Sequence, residues 1–257
     1  MGLQTPARDP GSLVHSVHKI SIASLAVIII LTSVCALYLG DYYRASEDAV
    51  SAFAVQKDPQ VRTLDDGSLF FEPASQSENA SAFIFYPGGK VEHTAYIPLM
   101  KAISAQGVPC ILVKMPFHLA VFDMDAAMDY RDEFSQIQNW YAGGHSLGGA
   151  MAASCLSKHD DLFDGLVLLG AYSASDLSQT DLQVLSVYGT EDSVMNREKY
   201  SEYKSNLPDS FQEFVIEGGC HSYFGMYGAQ EGDGIPSVSN EEQIKLTADA
   251  IVSMMQK

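Results

Sequence analysis

From residue 82 onward, short apolar runs alternate with stretches of helical pattern, and that alternation limits the fold more than any other feature of the chain. The runs at 82–86, 110–114, 140–143, 165–169, 183–188 and 213–216 are strand-like. Helical pattern fills 95–106 (ended by Gly107), 121–138, 147–158, 197–204 and 241–256. Runs apolar on both faces and separated by helices predict an α/β fold, with a mostly parallel central sheet covered on both sides. Ahead of them, 61–71 reads as a hairpin around Asp66-Gly67, a pair that accepts the positive φ angles of a tight turn. There are no internal repeats.

The strongest chemical signal lies inside this frame. Gly143-Gly-His-Ser-Leu-Gly-Gly149 separates a strand from a helix and contains the pattern G-x-S-x-G at Gly144, His145, Ser146, Leu147 and Gly148. A nucleophile on so sharp a turn sits in strained backbone, and glycines two residues to either side remove side chains that would clash there. The turn lifts a hydroxyl clear of the sheet edge, and the helix that follows points its amides at developing negative charge. A structural glycine turn has the same five-residue pattern. The strand before it and the small-residue helix after it favour the nucleophile.

A serine hydroxyl is a weak nucleophile at neutral pH and needs a base within hydrogen-bond reach. Of seven histidines, His15 and His18 lie near the N-terminus and His159 at the polar end of a helix. His145 is next to Ser146, where its side chain should point away, and His93 and His118 remain candidates to line a site. His221, in Gly218-Gly-Cys-His-Ser222, follows the last strand-like run, where a loop can swing it over the nucleophile. The order serine, acid, histidine then requires a carboxylate between the two. Gly189-Thr-Glu-Asp192 follows the run 183–188 and offers Glu191 and Asp192. Asp192 is preferred because the turn aims it back at the sheet edge, with Asp176 a distant third. Such an acid fixes the imidazole tautomer and stabilises the imidazolium.

An oxyanion hole completes the chemistry. Tyr86-Pro-Gly-Gly-Lys-Val91 follows the first long strand, and Gly88 and Gly89 allow close approach of backbone to substrate. The donors expected are the amides of Leu147 and of Gly89 or Lys90. Gly-Gly-Lys lacks the spacing, and the Ser or Thr after Lys90, of a phosphate-binding loop. No Cys/His spacing of the zinc type occurs, so neither metal nor cofactor is expected. Of four cysteines, Cys110 and Cys155 fall in apolar elements and read as core fillers.

The chain carries a formal net charge of −17, which argues against a nucleic-acid partner. Its N-terminal part differs from the rest. Residues 20–40 contain no charge and are bounded by Lys19 and Asp41, a length that matches the ~20 apolar residues of a membrane span. Neither a convincing small-x-small cleavage site nor a myristoylation pattern accompanies it, since position six is Pro6. The expectation is a tail over 1–19, an uncleaved single-pass anchor over 20–40, a connector over 41–57 and one domain over 58–257. Arg8 and Lys19 before the span, against Arg44 behind it, lean towards an extracytoplasmic domain. Asn79-Ala-Ser81 is a glycosylation sequon only if the domain lies there.

These pieces resemble the α/β-hydrolase superfamily, more narrowly a compact α/β-hydrolase-5-like branch, from about residue 82 to the C-terminus. The resemblance rests on Tyr-Pro-Gly-Gly-Lys-Val at 86–91, Val-Lys-Met-Pro-Phe-His-Leu-Ala-Val-Phe at 113–122 and Gly-Gly-His-Ser-Leu-Gly-Gly-Ala-Met-Ala at 143–152. Tyr-Gly-Thr-Glu-Asp at 188–192 and Glu-Gly-Gly-Cys-His at 217–221 complete it. It implies the hydrolase fold and a Ser146, His221, Asp192 triad, and little about substrate. The usual His-Gly of the oxyanion loop is Pro87-Gly88 here, which leaves Gly89 and Lys90 both open. Between 169 and 183 there is room only for a short loop, so no lid domain is expected. Met115 to Phe122 and Tyr223 to Tyr227 are candidate pocket walls. Two functions fit: a membrane-anchored serine hydrolase of a small ester, thioester or amide, or a catalytically weak binding or scaffold protein that kept the fold.

Overall fold

The computed structural model describes residues 24–25, 27–35, 37–54, 60–74, 81–134 and 136–256. The chain divides into two compact units, Met1–Asp41 and Tyr42–Lys257. In the first, the described residues from 24 to 40 are helical, with Leu25, Ile28, Ile30, Leu31 and Leu37 all exposed. Among the described residues, no helix is long and apolar enough to cross a membrane. The span expected over 20–40 lies partly outside them, and the tail over 1–19 and Asn79 of the sequon lie wholly outside.

The second unit is built on one eight-stranded sheet. Its strands are β1 (Gln60–Thr63), β2 (Leu69–Glu72), β3 (Ser81–Tyr86), β4 (Cys110–Leu112), β5 (Asn139–His145), β6 (Gly165–Leu169), β7 (Gln183–Gly189) and β8 (Gln212–Ile216). Their order is β1-β2-β4-β3-β5-β6-β7-β8. β1 and β2 form the expected hairpin, with Thr63 opposite Leu69 and Gly67 at φ 86, and β2 pairs antiparallel with β4. Every other pairing is parallel.

Among the described residues of this unit, six α-helices accompany the sheet: α1 (Glu47–Ala54), α2 (Ile97–Ser104), α3 (Ala126–Glu133), α4 (Leu147–Leu156), α5 (Arg197–Tyr203) and α6 (Asn240–Met255). β3 shows why the sheet is buried twice. Phe83 and Phe85 enter a core shared with α2 and α6, while Ala82, Ile84 and Tyr86 enter another shared with α3 and α4. Alternation thus persists within a run that is apolar throughout. Local signals set several ends. Pro98 sits in the first turn of α2, and Gly107 takes φ 93 just beyond its end. Asn196 and Ser239 cap α5 and α6 by accepting the amides of Lys199 and Glu242.

Two expectations change. The helix read over 121–138 is a 3-10 turn at Ala120–Phe122 followed by α3, which is much shorter. The backbone leaves helical geometry at Asp123 (φ −154), whose carboxyl is raised by burial and by the nearby Asp129 and Asp125. At its other end Phe134 turns inward and stacks on Phe70, ring centroids 4.7 Å apart. The connector expected over 41–57 also belongs largely to the second unit. The Tyr43 amide donates to the Lys90 carbonyl at 2.8 Å, the Tyr43 carbonyl accepts from Glu92 at 2.9 Å, and α1 follows. The loop between β6 and β7 carries no helix, as the absence of a lid requires.

Candidate active site

The site lies where the parallel strands end at their carboxyl edge. β5 ends at His145, and Ser146 begins the turn into α4 with φ 52 and ψ −121, backbone that non-glycine residues rarely occupy. Its amide donates to the Leu169 carbonyl of β6 at 2.9 Å, and its carbonyl accepts from Ala150 at 3.1 Å, so both flanks pin the strained residue. A side chain at Gly148 would put Cβ 2.3 Å from the carbonyl oxygens of Tyr86 and Pro87. The glycine therefore lets α4 run against the end of β3.

Asp192 follows β7 and His221 follows β8. Asp192 Oδ1 accepts the amides of Met195 at 2.8 Å and Val194 at 3.1 Å, while Oδ2 lies 2.9 Å from His221 Nδ1. Both side chains are buried. An acid that accepts two amides offers acceptors to its neighbour, so Nδ1 is the donor and Nε2 holds the free lone pair. Nε2 is buried and makes no hydrogen bond to the described protein atoms. Glu191 is exposed and meets Thr190 instead, and Asp176 closes its own turn by accepting the Ser178 amide. Of the three acids considered from the sequence, only Asp192 reaches the imidazole.

Two further residues hold this pair, and the sequence reading missed both. Asp233 accepts the amides of His221 at 3.1 Å and Ser222 at 2.8 Å, which fixes the loop beneath the ring. Burial alone would raise its pKa, but the amides of Ser222 and His221 outweigh burial and hold it below the usual carboxylate range. Gly170, at φ 52, faces the pair directly: a Cβ there would stand 2.9 Å from His221 Nδ1 and 3.0 Å from Asp192 Oδ2. A glycine at the end of an apolar strand is the one signal the sequence offered.

The loop after β3 narrows the choice of oxyanion donors. Lys90 has φ 58 and its amide donates to the His118 carbonyl at 2.8 Å, so that amide is already engaged and Lys90 leaves the set of donors. The Gly88 amide donates to Tyr96 Oη at 3.1 Å. Gly89 lies between them, and its ideal Cβ position is 2.9 Å from Leu147 Cδ2, which brings the loop against the first residue of α4. Gly89 and Leu147 thus face each other across the turn.

Beside Ser146 and His221 lies a cavity of about 300 Å³. Leu147, Ala150, Gly170, Ala171, Tyr172, Val194, Met195 and Asn196 line the rest of it. Neither expected wall contributes. Phe117, Val121 and Phe122 are exposed, while Phe224 and Tyr227 are buried in the core. The lining comes instead from the loops after β6 and β7 and from the first turn of α4. His118 stacks on Tyr42, and His93, pushed down to about 4 by burial and then by Lys114, is likewise no part of it. Among the described residues, no cluster of three or more His, Cys, Asp or Glu is placed to hold a metal ion.

A family model described as the Alpha/beta hydrolase family (Abhydrolase_5) matches residues 82–245. No curated protein matches the chain. Among solved structures, a predicted CIB-like hydrolase from Thermoplasma acidophilum is similar, with a TM-score of 0.54 and 18% identity, over 76% of this chain and 98% of its own. Est1E from Butyrivibrio proteoclasticus is similar with a TM-score of 0.55 and 13% identity, over 77% of this chain and 99% of its own. At these identities the likeness is one of fold.

Proposed function

Because the chain belongs to the alpha/beta hydrolase family, we propose that it is a serine hydrolase that cleaves a small ester, thioester or amide through an acyl-enzyme intermediate. One observation carries this reading. The strained Ser146 opens onto the same cavity as His221, whose far nitrogen meets the buried Asp192 at 2.9 Å. In the proposed cycle His221 Nε2 takes the Ser146 hydroxyl proton as Oγ attacks the substrate carbonyl carbon. The negative charge that forms on the carbonyl oxygen meets the amides of Gly89 and Leu147. The imidazolium, stabilised by Asp192, returns its proton to the leaving group as the carbonyl–leaving-group bond breaks. Water then attacks the acyl-serine: His221 Nε2 takes a proton from the water as its oxygen bonds the acyl carbon, and returns it to Ser146 Oγ as the acyl–Oγ bond breaks, releasing the acid and restoring the hydroxyl.

A cavity of about 300 Å³ lies at the small end of ligand sites and suits a short acyl or compact aromatic group. Its lining is mostly apolar, with Tyr172 and Asn196 as the polar exceptions beyond the reacting groups. Segment 20–40 is proposed as a single-pass anchor with the hydrolase unit on the extracytoplasmic side. The support is its uncharged sequence and the exposed apolar side chains from Leu25 to Leu37. Carbonate extraction and protease protection of the expressed full chain test that part: release by carbonate ends the anchor reading, and a protected catalytic unit reverses the orientation.

The decisive experiment on the chemistry is labelling with a fluorophosphonate, with short-chain nitrophenyl esters as substrates. The wild-type chain should label and turn over, and Ser146→Ala should do neither while keeping its melting temperature within a few degrees. A folded wild-type chain that neither labels nor hydrolyses would leave a binding protein on a hydrolase fold.

A further inference from the structure

Directly beneath the elbow lies a polar pair that the reaction does not require. Tyr96, the last residue of the 3-10 turn His93–Tyr96, is fully buried, and so is the ring of His145. Tyr96 Oη is 2.7 Å from His145 Nδ1 and accepts the Gly88 amide at 3.1 Å. Phe85, Phe224 and Tyr227 surround the two rings. A phenol and an imidazole are costly to bury unpaired in such a place, and apolar side chains would fill the space without that cost. The ring of His145 also lies 4.4 Å from that of His221, centroid to centroid.

The proton order follows from these contacts. Tyr96 Oη accepts from Gly88, so its one hydrogen is best used on His145 Nδ1, which makes His145 the Nε2–H tautomer. His145 Nε2 is buried without a hydrogen-bond partner among the described residues in either order, and the reverse order would leave the buried hydroxyl hydrogen without an acceptor as well. Burial, and next the charge His221 can carry, hold the pKa of His145 well below its ordinary value, so the ring stays neutral. A neutral ring there adds no repulsion when His221 becomes an imidazolium.

We propose that Tyr96 and His145 are positioning residues that aim the oxyanion loop and tie it to the base, an inference that rests on the reading of Ser146, His221 and Asp192 above. Tyr96 holds the Gly88 amide inward and the His118 carbonyl holds the Lys90 amide, so the stretch between them presents the Gly89 amide. His145 is continuous with Ser146 and packs on His221. One hydrogen-bonded couple therefore links the loop after β3, the nucleophile turn and the loop after β8.

The test is Tyr96→Phe in the full chain, which removes one oxygen and keeps the ring. On a nitrophenyl ester, kcat should fall roughly 10- to 100-fold with KM nearly unchanged, the mark of an interaction expressed in the transition state. The acid limb of the kcat/KM profile should stay where it is, because the couple does not itself exchange the substrate's proton. His145→Leu should show the same loss. His145→Asn, which keeps an acceptor near the place of Nδ1, should recover most of it. Tyr130→Phe is the stability control, because that buried hydroxyl bonds Asp66 and Ser68 away from the cavity and its loss should lower the melting temperature without changing kcat. If Tyr96→Phe does not fold, the His145 pair decides the matter. The inference is overturned by kcat unchanged in Tyr96→Phe, by a loss confined to KM, by an equal kcat loss in Tyr130→Phe, or by His145→Asn as impaired as His145→Leu. Failure of the serine-hydrolase reading is distinguishable, since the wild-type chain would then be inactive from the outset.

Discussion

Gly170→Ala isolates the geometry on which the His221–Asp192 pair depends. Two effects act at this position. At φ 52 an alanine is strained by about 1–2 kcal/mol, whatever its surroundings. Its Cβ would also stand 2.9 Å from His221 Nδ1 and 3.0 Å from Asp192 Oδ2, where ordinary contact begins at 3.4 Å. The neighbours must therefore recede by about 0.5 Å. Neither can do so freely, because the amides of Val194 and Met195 hold Asp192 and Asp233 holds the His221 backbone. The yielding coordinate is the 2.9 Å hydrogen bond itself, which would stretch out of the range where it orients a ring. Turnover should fall roughly 100-fold, short of the ~10⁴ expected for losing the acid altogether. Gly232→Ala is the matched control: its φ is 82 and nothing lies within 4 Å of its Cβ position, so it carries backbone strain alone. Backbone strain should lower both melting temperatures by roughly 2–8 °C, with only Gly170→Ala losing activity. Initial rates on a nitrophenyl ester, beside thermal melting, read both quantities. If Gly170→Ala turns over within about twofold of Gly232→Ala, the contact does not govern the pair and the reasoning fails.

Three other outcomes are expected. Asp192→Asn should lower kcat by roughly 10⁴-fold while Glu191→Gln changes it little, and rates on one ester with melting controls would expose equal losses as a field effect. Asp233 is held below its ordinary pKa, so its contribution to stability is present above the unfolded carboxylate range and is lost as pH falls through the depressed value. Asp233→Asn should thus flatten the fall in melting temperature below about pH 4, and an unchanged slope would remove Asp233 from that role. A chain beginning at Asp41 should keep full activity, whereas one beginning at Ala45 loses the two Tyr43 bonds to the oxyanion loop and should lose kcat more than KM. Equal kcat in the two truncations would make Tyr43 irrelevant to the loop.

The sheet could be read from the sequence because its strands are buried on both faces, and each such run announces itself without help from its neighbours. Ser146 could be read because close approach of α4 to β3 demands glycine at a fixed spacing. Asp192 was preferred to Glu191 from the turn after its strand alone, and what the sequence did not offer is the pair of amides, from Val194 and Met195, that hold its carboxylate. What stayed hidden depends on contacts between distant segments. Tyr96 and His145 are 49 residues apart, and neither belongs to a motif with the other. The engagement of Lys90 depends on Phe117 and His118 both adopting positive φ, which no glycine in that loop foretells. The cavity lining is ordinary Ala, Val, Met and Tyr, carrying no sign of its position. The break at Asp123 ahead of α3, and the inward turn of Phe134 onto Phe70 that ends it, are likewise hidden where apolar spacing alone predicts continuity.

The sheet order has a consequence for when this molecule can act. Gly89, Ser146, Asp192 and His221 follow β3, β5, β7 and β8, strands of one parallel run (with β6 between β5 and β7) that is assembled only through successive parallel crossovers. Parallel pairing closes long loops before it is rewarded, so no early local piece of the chain brings the four together. The proposed base follows the final strand, and the Asp233 that steadies it comes later still. A polypeptide emerging from its N-terminus would have no working site until the segment that carries Asp233 had been made. Hydrolytic competence would arrive all at once, so the first turnover of a newly made or refolding chain would report completion of the sheet's β7–β8 edge.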